Sequence, residues 1–369
     1  MNRPLLFINV LLWVYVLVDV GTILKNELAP PAWYPPALTK AALPVCDTCS
    51  KPPVFLILLD EYMGSAAQLS YFKHNNQLFD DSLQQEGFHL LKQTRSNYPY
   101  TIYSMSSVLG MDYLDIDNIH GRNRDAYKLA VGNIKSNAVC NYFSNLGYSI
   151  NNYSPFDLKQ KARGYTTFLL ANDLNLLSSE TMWSRLEPDL LNRIAHMGLM
   201  HSWVRKIEDD YFNVNEKMMN RVLDDAVHKG SQPGFHYVHL MMPHNPYLTD
   251  STGRRTVPYA LRKGITLEEA DQDYLQYLIY TNKRIMRFIR TLKEHTNGKA
   301  AILLMSDHGF RGAIRKSREL VYHNLNAVYL PDGNYAGWYD GMTNVNQFRV
   351  LFNTLFHQQM PMLKDSLVP

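Results

Sequence analysis

The sequence has few cysteines, little net charge and no glycine-rich nucleotide-binding motif. Its formal net charge is only +3, and no cluster of Lys and Arg follows one face, so binding to nucleic acid has no support. No GxGxxG or GxxxxGK(S/T) run follows a candidate strand, so a dinucleotide or P-loop site has none either. Hydrophobic residues make up 46% of the 369 residues, which is enough for a substantial core.

Only three cysteines are present, and two of them form a CxxC pair at Cys46 and Cys49. A single pair cannot make a four-thiolate zinc site unless histidines contribute. In an exported chain a local disulfide is the simpler expectation, with a redox-active or lipidated cysteine as the alternative. Cys140 is then expected to be a buried thiol.

The N-terminus carries the one long apolar run, LLFINVLLWVYVLVDVGTIL, over residues 5–24. Its length suits a bilayer-crossing helix, and Arg3 before it favours a cytoplasmic N-terminus. Asp19 is costly at that depth but lies near the distal end. A signal peptide is the alternative, but no small-x-small cleavage site follows. We therefore predict a transmembrane anchor (residues 1–25), a single-pass location in the cell membrane and an extracytoplasmic, periplasmic remainder.

Beyond the anchor, residues 26–53 contain seven prolines, as expected for an extended tether. Residues 54–369 then form the predicted catalytic domain. The apolar run Val54–Leu59 predicts a strand buried on both faces. Similar patterns predict four further strands, over Phe88–Leu91, Gly234–Met242, Ala300–Met305 and Asn326–Pro331.

Helical patterns separate these strands. They cover Ala66–Gly87 and Leu267–His295, and the segment Ser178–Lys229 is expected to be mainly helical. Helices between buried strands predict an α/β fold with a parallel or mixed central sheet flanked by helices.

Polar residues follow three of the predicted strands. Asp60 and Glu61 come directly after the strand that starts at Val54. His244 follows the strand that starts at Gly234, with His239 nearby, and Asp307 and His308 follow the strand that starts at Ala300. Sites in open α/β sheets form beyond the carboxyl ends of the strands. Carboxylate and imidazole ligands without thiolate favour one divalent ion, Zn²⁺ or Mn²⁺, with Mg²⁺ or Ca²⁺ possible.

Such an ion suits chemistry on anionic esters, because it lowers the pKa of a bound hydroxyl and neutralises charge on a phosphoryl or sulfuryl group. A nucleophile is still needed. The hydroxyl-rich run SNYPYTIYSMSSVLGM, over residues 96–111, offers four candidates: Thr101, Ser104, Ser106 and Ser107.

Four segments together resemble the alkaline phosphatase/sulfatase superfamily: VFLILLDEY, the region of Thr101, HLMMPHNPY and LLMSDHG. The order and spacing are most similar to its membrane-anchored sulfatase-like branch, which includes phosphoethanolamine transferases and lipoteichoic acid synthase. The resemblance covers Pro53 to Phe356. It implies an alkaline phosphatase-like mixed central sheet flanked by helices.

Sulfatases carry the motif C-x-P-S-R-x-x-L-L-T-G, whose cysteine becomes formylglycine. With Val108 and Leu109 matched to its two leucines and Ser104 to its serine, the cysteine position falls on Thr101. Tyr103 and Met105 also depart from the motif. Threonine cannot form formylglycine, so the resemblance disfavours a strict sulfatase mechanism and implies the threonine nucleophile of head-group transferases.

The resemblance also implies roles for individual residues. His244 is expected to contact the transferred group or donate a proton to the leaving oxygen, and Glu61 to be a bystander. The implied metal ligands are Asp60, Thr101, Asp307 and His308. The candidate substrate-binding residues are His239, His323 and Arg311, and binding of a second metal is the alternative role for the two histidines.

Together these expectations predict a metal-dependent phosphoryl-group transferase or phosphodiesterase that acts through a phosphothreonine intermediate. A phospholipid or an envelope glycan is the expected substrate, and the membrane an expected partner. Two alternatives stay open. One is a sulfate-ester or phosphate-monoester hydrolase, and the other is a non-catalytic anchored binding domain.

Overall fold

A computed structural model gives the fold of residues 3–28, 44, 46–114, 123–165, 201–228, 233–257, 261–262 and 264–369. Most of the predicted tether, residues 29–43 and 45, lies outside the described residues. So do residues 178–200 and 229 of the predicted helical segment. The boundaries proposed for anchor, tether and catalytic domain stay predictions.

Six strands and nine α-helices lie in the described part of the chain. The strands are β1 (Val54–Leu59), β2 (His89–Leu90), β3 (Ser149–Tyr153), β4 (Gly234–Leu240), β5 (Ala301–Ser306) and β6 (Asn326–Tyr329). The helices are α1 (Arg3–Leu28), α2 (Ser65–Phe72), α3 (Gln77–Gln85), α4 (Thr101–Gly110), α5 (Asn123–Lys135), α6 (Ala138–Asn145), α7 (His201–His228), α8 (Leu267–His295) and α9 (Gln347–Phe356).

The strands form one mixed sheet in the order β2-β6-β5-β1-β4-β3. β1 is central and pairs in parallel with both β4 and β5, while β4 also pairs in parallel with β3. β6 runs antiparallel to β5 and to β2. The predicted mixed sheet with flanking helices is therefore confirmed.

Both faces of the sheet are covered, which explains the continuous apolar sequence of β1. Its alternate residues enter two different cores, because successive side chains of a strand point to opposite faces. Val54, Leu56 and Leu58 pack with α4, α6 and α9, and the intervening residues pack with α2, α3, α7 and α8. Burial on both faces fixes the position of the strand end, where the next residue is Asp60.

The structure differs from the predictions at one helix, and it also contains the strand β3 and the helices α5, α6 and α9, which were not predicted. The helix predicted over Ala66–Gly87 is two helices, because Lys73 ends α2 in the left-handed conformation, with φ 60°. The edge strand β3 was not predicted, because its sequence SINNY has no apolar alternation. Its Asn152 is satisfied locally, donating to the carbonyl oxygens of Phe156 and Ala162.

The predicted helix Leu267–His295 matches α8 residue for residue. Its start is fixed by a capping box, in which the side chain of Thr266 accepts from the backbone of Glu269 and Glu269 accepts from the backbone of Thr266. α7 confirms the part of the segment Ser178–Lys229 that the structure describes.

The apolar N-terminal run is helical and forms α1. Among the described residues, no helix meets the length and hydropathy that a membrane crossing requires. The predicted transmembrane helix over residues 1–25 is thus not confirmed.

The cysteines follow the simpler expectation. Cys46 and Cys49 form a disulfide, with their Cα atoms 5.6 Å apart. Cys140 is a free thiol in α6, fully buried, and burial raises its pKa to about 12. A thiol with so high a pKa is unreactive, so Cys140 is a packing residue.

Candidate active site

The carboxyl ends of β1, β4 and β5 bring the predicted residues together. Leu59 lies opposite Leu240 on one side and Ser306 on the other, so the three strands end level with one another. The backbone N–H of Asp60 donates to the carbonyl of Leu240 at 3.0 Å, which extends the pairing past β1. Parallel pairing thus places Asp60 next to Asp307.

Asp60, Asp307 and His308 form a group that fits a metal ion. One potential ligand atom from each lies within 4.8 Å of the others, and all three side chains are fully buried. Asp60 Oδ1 and Asp307 Oδ2 have no hydrogen-bond partner among the described residues. Buried carboxylate oxygens without partners are costly, so this pair fits a cation that would satisfy both.

The hydrogen bonds of His308 leave one ring nitrogen able to bind a metal. Its Nδ1–H donates to the carbonyl of Gly309 at 2.8 Å, because a carbonyl can only accept. In the neutral ring Nε2 is then unprotonated, and it lies 3.3 Å from Thr101 Oγ1. A backbone carbonyl holding the other nitrogen is the usual support of a metal-binding histidine.

Thr101 is the first residue of α4 and lies beside this group. Only 7% of its surface is exposed, and the N-cap residue Tyr100 supplies no side-chain cap. The first backbone N–H groups of α4 therefore have no intrahelical partner, and the helix dipole favours negative charge at this end. A hydroxyl at a helix N-terminus beside a cation site suits the attack on an anionic ester.

The other three hydroxyls of the run lie deeper in α4. Ser104 donates to the carbonyl of Asp307 at 2.6 Å and so links α4 to the end of β5. The hydroxyls of Ser106 and Ser107 are buried without a partner among the described residues. The geometry places Thr101, rather than these serines, beside His308.

His239 lies behind Asp60, in a fully buried position within β4. Its Nε2 is 3.1 Å from Asp60 Oδ2, and its Nδ1 is 3.1 Å from the hydroxyl of Tyr237. The carboxylate requires the proton on Nε2, so Tyr237 donates to Nδ1. His239 is thus placed to orient Asp60, a position that differs from the substrate contact expected from the sequence.

Replacing His239 with glutamine should weaken metal binding about 10- to 100-fold, since partners that orient a metal ligand typically contribute that much. Calorimetric titration of the metal-free protein with Zn²⁺ or Mn²⁺ measures it. Replacing His236, a buried histidine of the same strand, is the matched control and should leave the affinity unchanged. An unchanged affinity in the His239 variant would contradict this role.

Burial alone would raise the pKa of Asp60, but its hydrogen bond to His239 opposes this. That bond helps to hold the pKa of Asp60 below its usual range. Asp60 is therefore a carboxylate at neutral pH, ready to bind a cation.

Glu61 links three parts of the site. Its backbone N–H donates to Asp307 Oδ1 at 3.0 Å, and its carbonyl accepts from the Tyr274 hydroxyl at 2.9 Å. Its carboxylate accepts from Arg311, from the backbone N–H at 2.8 Å and from Nε at 3.4 Å. The other carboxylate oxygen lies 3.8 Å from His244 Nε2. Glu61 is 3% exposed, so it is part of the site rather than the bystander expected from the sequence.

Arg311 and His244 also contact each other directly. Arg311 Nη2 donates to His244 Nε2 at 2.5 Å, and His244 Nδ1–H donates to the carbonyl of Asn245 at 2.6 Å. His244 is therefore a neutral ring in this arrangement. Burial opposes the charge of Arg311, but Glu61 and Asp60 raise the pKa of the guanidinium above its ordinary value.

His323 is the candidate with the weakest link to this group. Its side chain lies 4.0 Å from Glu319, and burial lowers its pKa. Its backbone is closer to the site, because the segment 317–323, which includes a 3-10 helix over Arg318–Tyr322, packs directly against Gly309. The backbone N–H of Gly309 donates to Val321 at 2.7 Å, and a Cβ at this glycine would collide with the carbonyl of His323.

Two functional features escaped prediction from the sequence. The first is the contact of Glu61 with Arg311 and His244, which joins residues up to 250 positions apart. The only signal for it in the sequence was that Glu61 is adjacent to Asp60. Tyr237 alternates with His239 on β4, a spacing that places both on one face of a strand. That spacing was the available signal.

Comparison with known proteins assigns the family. The sulfatase family model matches residues 52–360, and the chain therefore belongs to the sulfatase family. This membership confirms the resemblance to the alkaline phosphatase/sulfatase superfamily. Among curated proteins, none matches the chain.

Solved structures of low sequence identity share the fold. The soluble domain of lipooligosaccharide phosphoethanolamine transferase A from Neisseria meningitidis has a TM-score of 0.52 at 12% identity, covering 85% of this chain and 92% of its own. Phosphonate monoester hydrolase SpPMH from Silicibacter pomeroyi has a TM-score of 0.52 at 16% sequence identity, and the match covers 86% of this chain and 75% of the hydrolase. The C-terminal periplasmic domain of EcEptC from Escherichia coli, in complex with Zn, has a TM-score of 0.50 at 12% sequence identity, and the match covers 85% of this chain and 86% of that domain.

Proposed function

We propose that the protein is a metal-dependent phosphoryl-group transferase or phosphodiesterase that acts on an envelope lipid or glycan. The observation that carries the proposal is the position of Thr101. Thr101 is the first residue of α4, and its hydroxyl lies 3.3 Å from Nε2 of His308. It stands beside the two carboxylate oxygens that have no hydrogen-bond partner among the described residues. Similarity of fold to a phosphoethanolamine transferase and a phosphonate monoester hydrolase supports the same class of chemistry.

Asp60, Asp307 and His308 are the residues that would hold a divalent ion, with Thr101 as the fourth candidate ligand. The ion would lower the pKa of a hydroxyl bound to it and offset the negative charge of the phosphoryl group. Zn²⁺ is the first candidate, since the similar EcEptC domain was complexed with Zn, and Mn²⁺ the second.

The protein's own residues supply the rest of the reaction. The Thr101 hydroxyl gives its proton to solvent water and its oxygen forms a bond to phosphorus, while the bond from phosphorus to the leaving alcohol oxygen breaks and that oxygen takes up a proton. The N-terminus of α4 stabilises the negative charge of the phosphoryl group. In the second step a water or alcohol oxygen gives up its proton and attacks phosphorus, and the bond from phosphorus to Thr101 breaks as the Thr101 oxygen takes up a proton.

His244 is the proposed proton carrier for the leaving and attacking oxygens. Its Nε2 accepts from Arg311 in the structure. A bound anion would compete for Arg311, because a guanidinium binds phosphate oxygens more strongly than a neutral ring. Nε2 would then be able to exchange a proton with an alcohol oxygen.

The two alternatives are less well supported. A sulfatase mechanism based on formylglycine needs a cysteine where this chain has Thr101. A non-catalytic binding domain does not account for two buried carboxylate oxygens that lack a hydrogen bond within the part of the chain that the structure describes. An extracytoplasmic location is part of the proposal, supported by the Cys46–Cys49 disulfide.

Intact-mass and peptide mass spectrometry test the proposal. The full chain, loaded with Zn²⁺ or Mn²⁺, is incubated with vesicles of phosphatidylethanolamine and phosphatidylglycerol. We expect an adduct on the peptide that contains Thr101, with a mass equal to the phosphorylated head group. The Ser107→Ala variant should form the same adduct. Turnover with an adduct on another residue, or with none on Thr101 under rapid quenching, would contradict the proposed nucleophile.

A further inference from the structure

The carboxylate of Glu61 is directed to the cationic side of the site, away from the metal ligands. Asp60, its neighbour, belongs to the group of potential ligands, whereas Glu61 bonds to Arg311 and approaches His244. A turn in the backbone separates the two, since Glu61 has the left-handed φ of 64°, which is uncommon for a residue with a side chain. Its backbone bond to Asp307 and its bond from Tyr274 hold this conformation.

One divalent ion would balance the charged side chains near the phosphoryl position. Three carboxylates, those of Asp60, Glu61 and Asp307, face one guanidinium, that of Arg311. His244 is neutral in this arrangement because both of its ring nitrogens are engaged by a carbonyl and a guanidinium. One divalent ion would bring the group to a net charge of zero.

A neutral site discriminates between phosphate esters by their charge. A phosphate monoester carries a charge near −2 above its second pKa of about 6, whereas a diester carries −1. The second negative charge of a monoester would gain little from Arg311, because Glu61 already offsets the positive charge of the guanidinium. Within a few ångströms, in partly desolvated surroundings, one unit charge changes binding by an order of magnitude or more.

We propose that Glu61 is a specificity-determining residue that directs the site to monoanionic phosphodiesters by offsetting the charge of Arg311. This inference rests on the proposed function and narrows its substrate class. Glu61 acts through Arg311, so it is a positioning residue. Arg311 keeps a guanidinium nitrogen, Nη1, without a partner among the described residues, which leaves it able to donate to the single charged oxygen of a diester.

The Glu61→Gln variant tests the charge with little change of shape. A glutamine oxygen can still accept from the backbone N–H and Nε of Arg311. At pH 8, kcat/KM is measured with bis(p-nitrophenyl) phosphate, a diester, and p-nitrophenyl phosphate, a monoester. We expect the monoester-to-diester ratio to rise about tenfold or more in the variant. Binding of inorganic phosphate, measured by calorimetry without turnover, should strengthen by a similar factor.

A matched control is available in Glu216, which pairs with Arg284 at 2.8 Å through Nε, away from the site. The Glu216→Gln variant removes the charge of another ion-paired glutamate and should leave both readouts unchanged. Metal content is measured in every variant. An Arg311→Gln variant should shift the ratio the opposite way, and it serves as the test if Glu61→Gln does not fold.

The outcomes separate this inference from the proposed function. An equal loss of both activities in Glu61→Gln, with unchanged phosphate binding, would overturn the specificity role and leave the proposed function intact. If the wild-type protein hydrolyses neither ester, the proposed function fails for these probes. The phosphate-binding comparison then decides the inference by itself, and tighter binding to Glu61→Gln supports it.

Discussion

Replacing Thr101 with alanine should reduce kcat toward a phosphodiester by at least about 10³-fold, because loss of a nucleophile typically removes the covalent route altogether. Thr101 lies in the first turn of α4 with 7% of its surface exposed, so the loss of its hydroxyl and methyl group should change the fold little. Rates with bis(p-nitrophenyl) phosphate, on protein of measured metal content, give the comparison.

Two further variants make this result specific. Thr101→Ser keeps a hydroxyl in place and should retain a substantial part of the activity. Ser107→Ala removes from the same helix a buried hydroxyl that has no partner among the described residues. Its activity should stay within about twofold of wild type, because no catalytic group is lost. Full activity in Thr101→Ala would exclude the phosphothreonine route and favour direct attack by water.

Replacing Asp307 with asparagine should abolish metal binding at working concentrations, with a loss of affinity of about 10³-fold or more, because a charged ligand is removed. The backbone N–H groups of Glu61 and His308 donate to Oδ1, at 3.0 and 2.9 Å, and the asparagine oxygen can still accept both. Oδ2, which has no hydrogen-bond partner among the described residues, is the atom that becomes an amide nitrogen and turns from acceptor to donor.

The difference in Tm between this variant and wild type should depend on whether metal is present. Metal-free wild type holds two buried carboxylates close together, so the neutral asparagine should leave Tm equal or raise it. Added Zn²⁺ or Mn²⁺ should raise the Tm of wild type but not that of the variant, because only the native wild-type site binds the ion.

Asp80→Asn is the control for this experiment. Asp80 is also a buried aspartate and accepts from the Ser65 hydroxyl at 2.9 Å, but it does not belong to the metal-binding group. Its variant should keep the full response to metal. A metal-induced rise in Tm in Asp307→Asn, equal to that of wild type, would place the ion elsewhere.

The sequence predicted those parts of the fold that burial dictates. The run Val54–Leu59 is short, apolar throughout and includes β-branched and aromatic residues, which favours a strand covered on both faces. Since parallel strands end at one edge, the proximity of Asp60 and Asp307 followed from the strand predictions alone. The choice of Thr101 among four hydroxyls needed the family resemblance, because spacing within a helix does not say which residue faces a strand end.

The remaining features depend on tertiary contacts that leave no local pattern. β3 is polar because its position at the sheet edge and the bonds of Asn152 compensate for the missing apolar alternation. The role of His239 depends on which side of β4 faces Asp60. The role of Glu61 depends on a single left-handed residue, and no periodicity encodes such a turn.

Gly309 connects the candidate metal ligand His308 to the segment 317–323, which contains none of the candidate ligands. The glycine carbonyl fixes the ring of His308, while carbonyl groups of the segment 317–323 occupy the space where a side chain would be. A shift of that segment would therefore be transmitted through Gly309 to the imidazole. Residues 317–323 are consequently the place where a small molecule or an inserted residue could change metal affinity from a distance, without touching any residue that reacts.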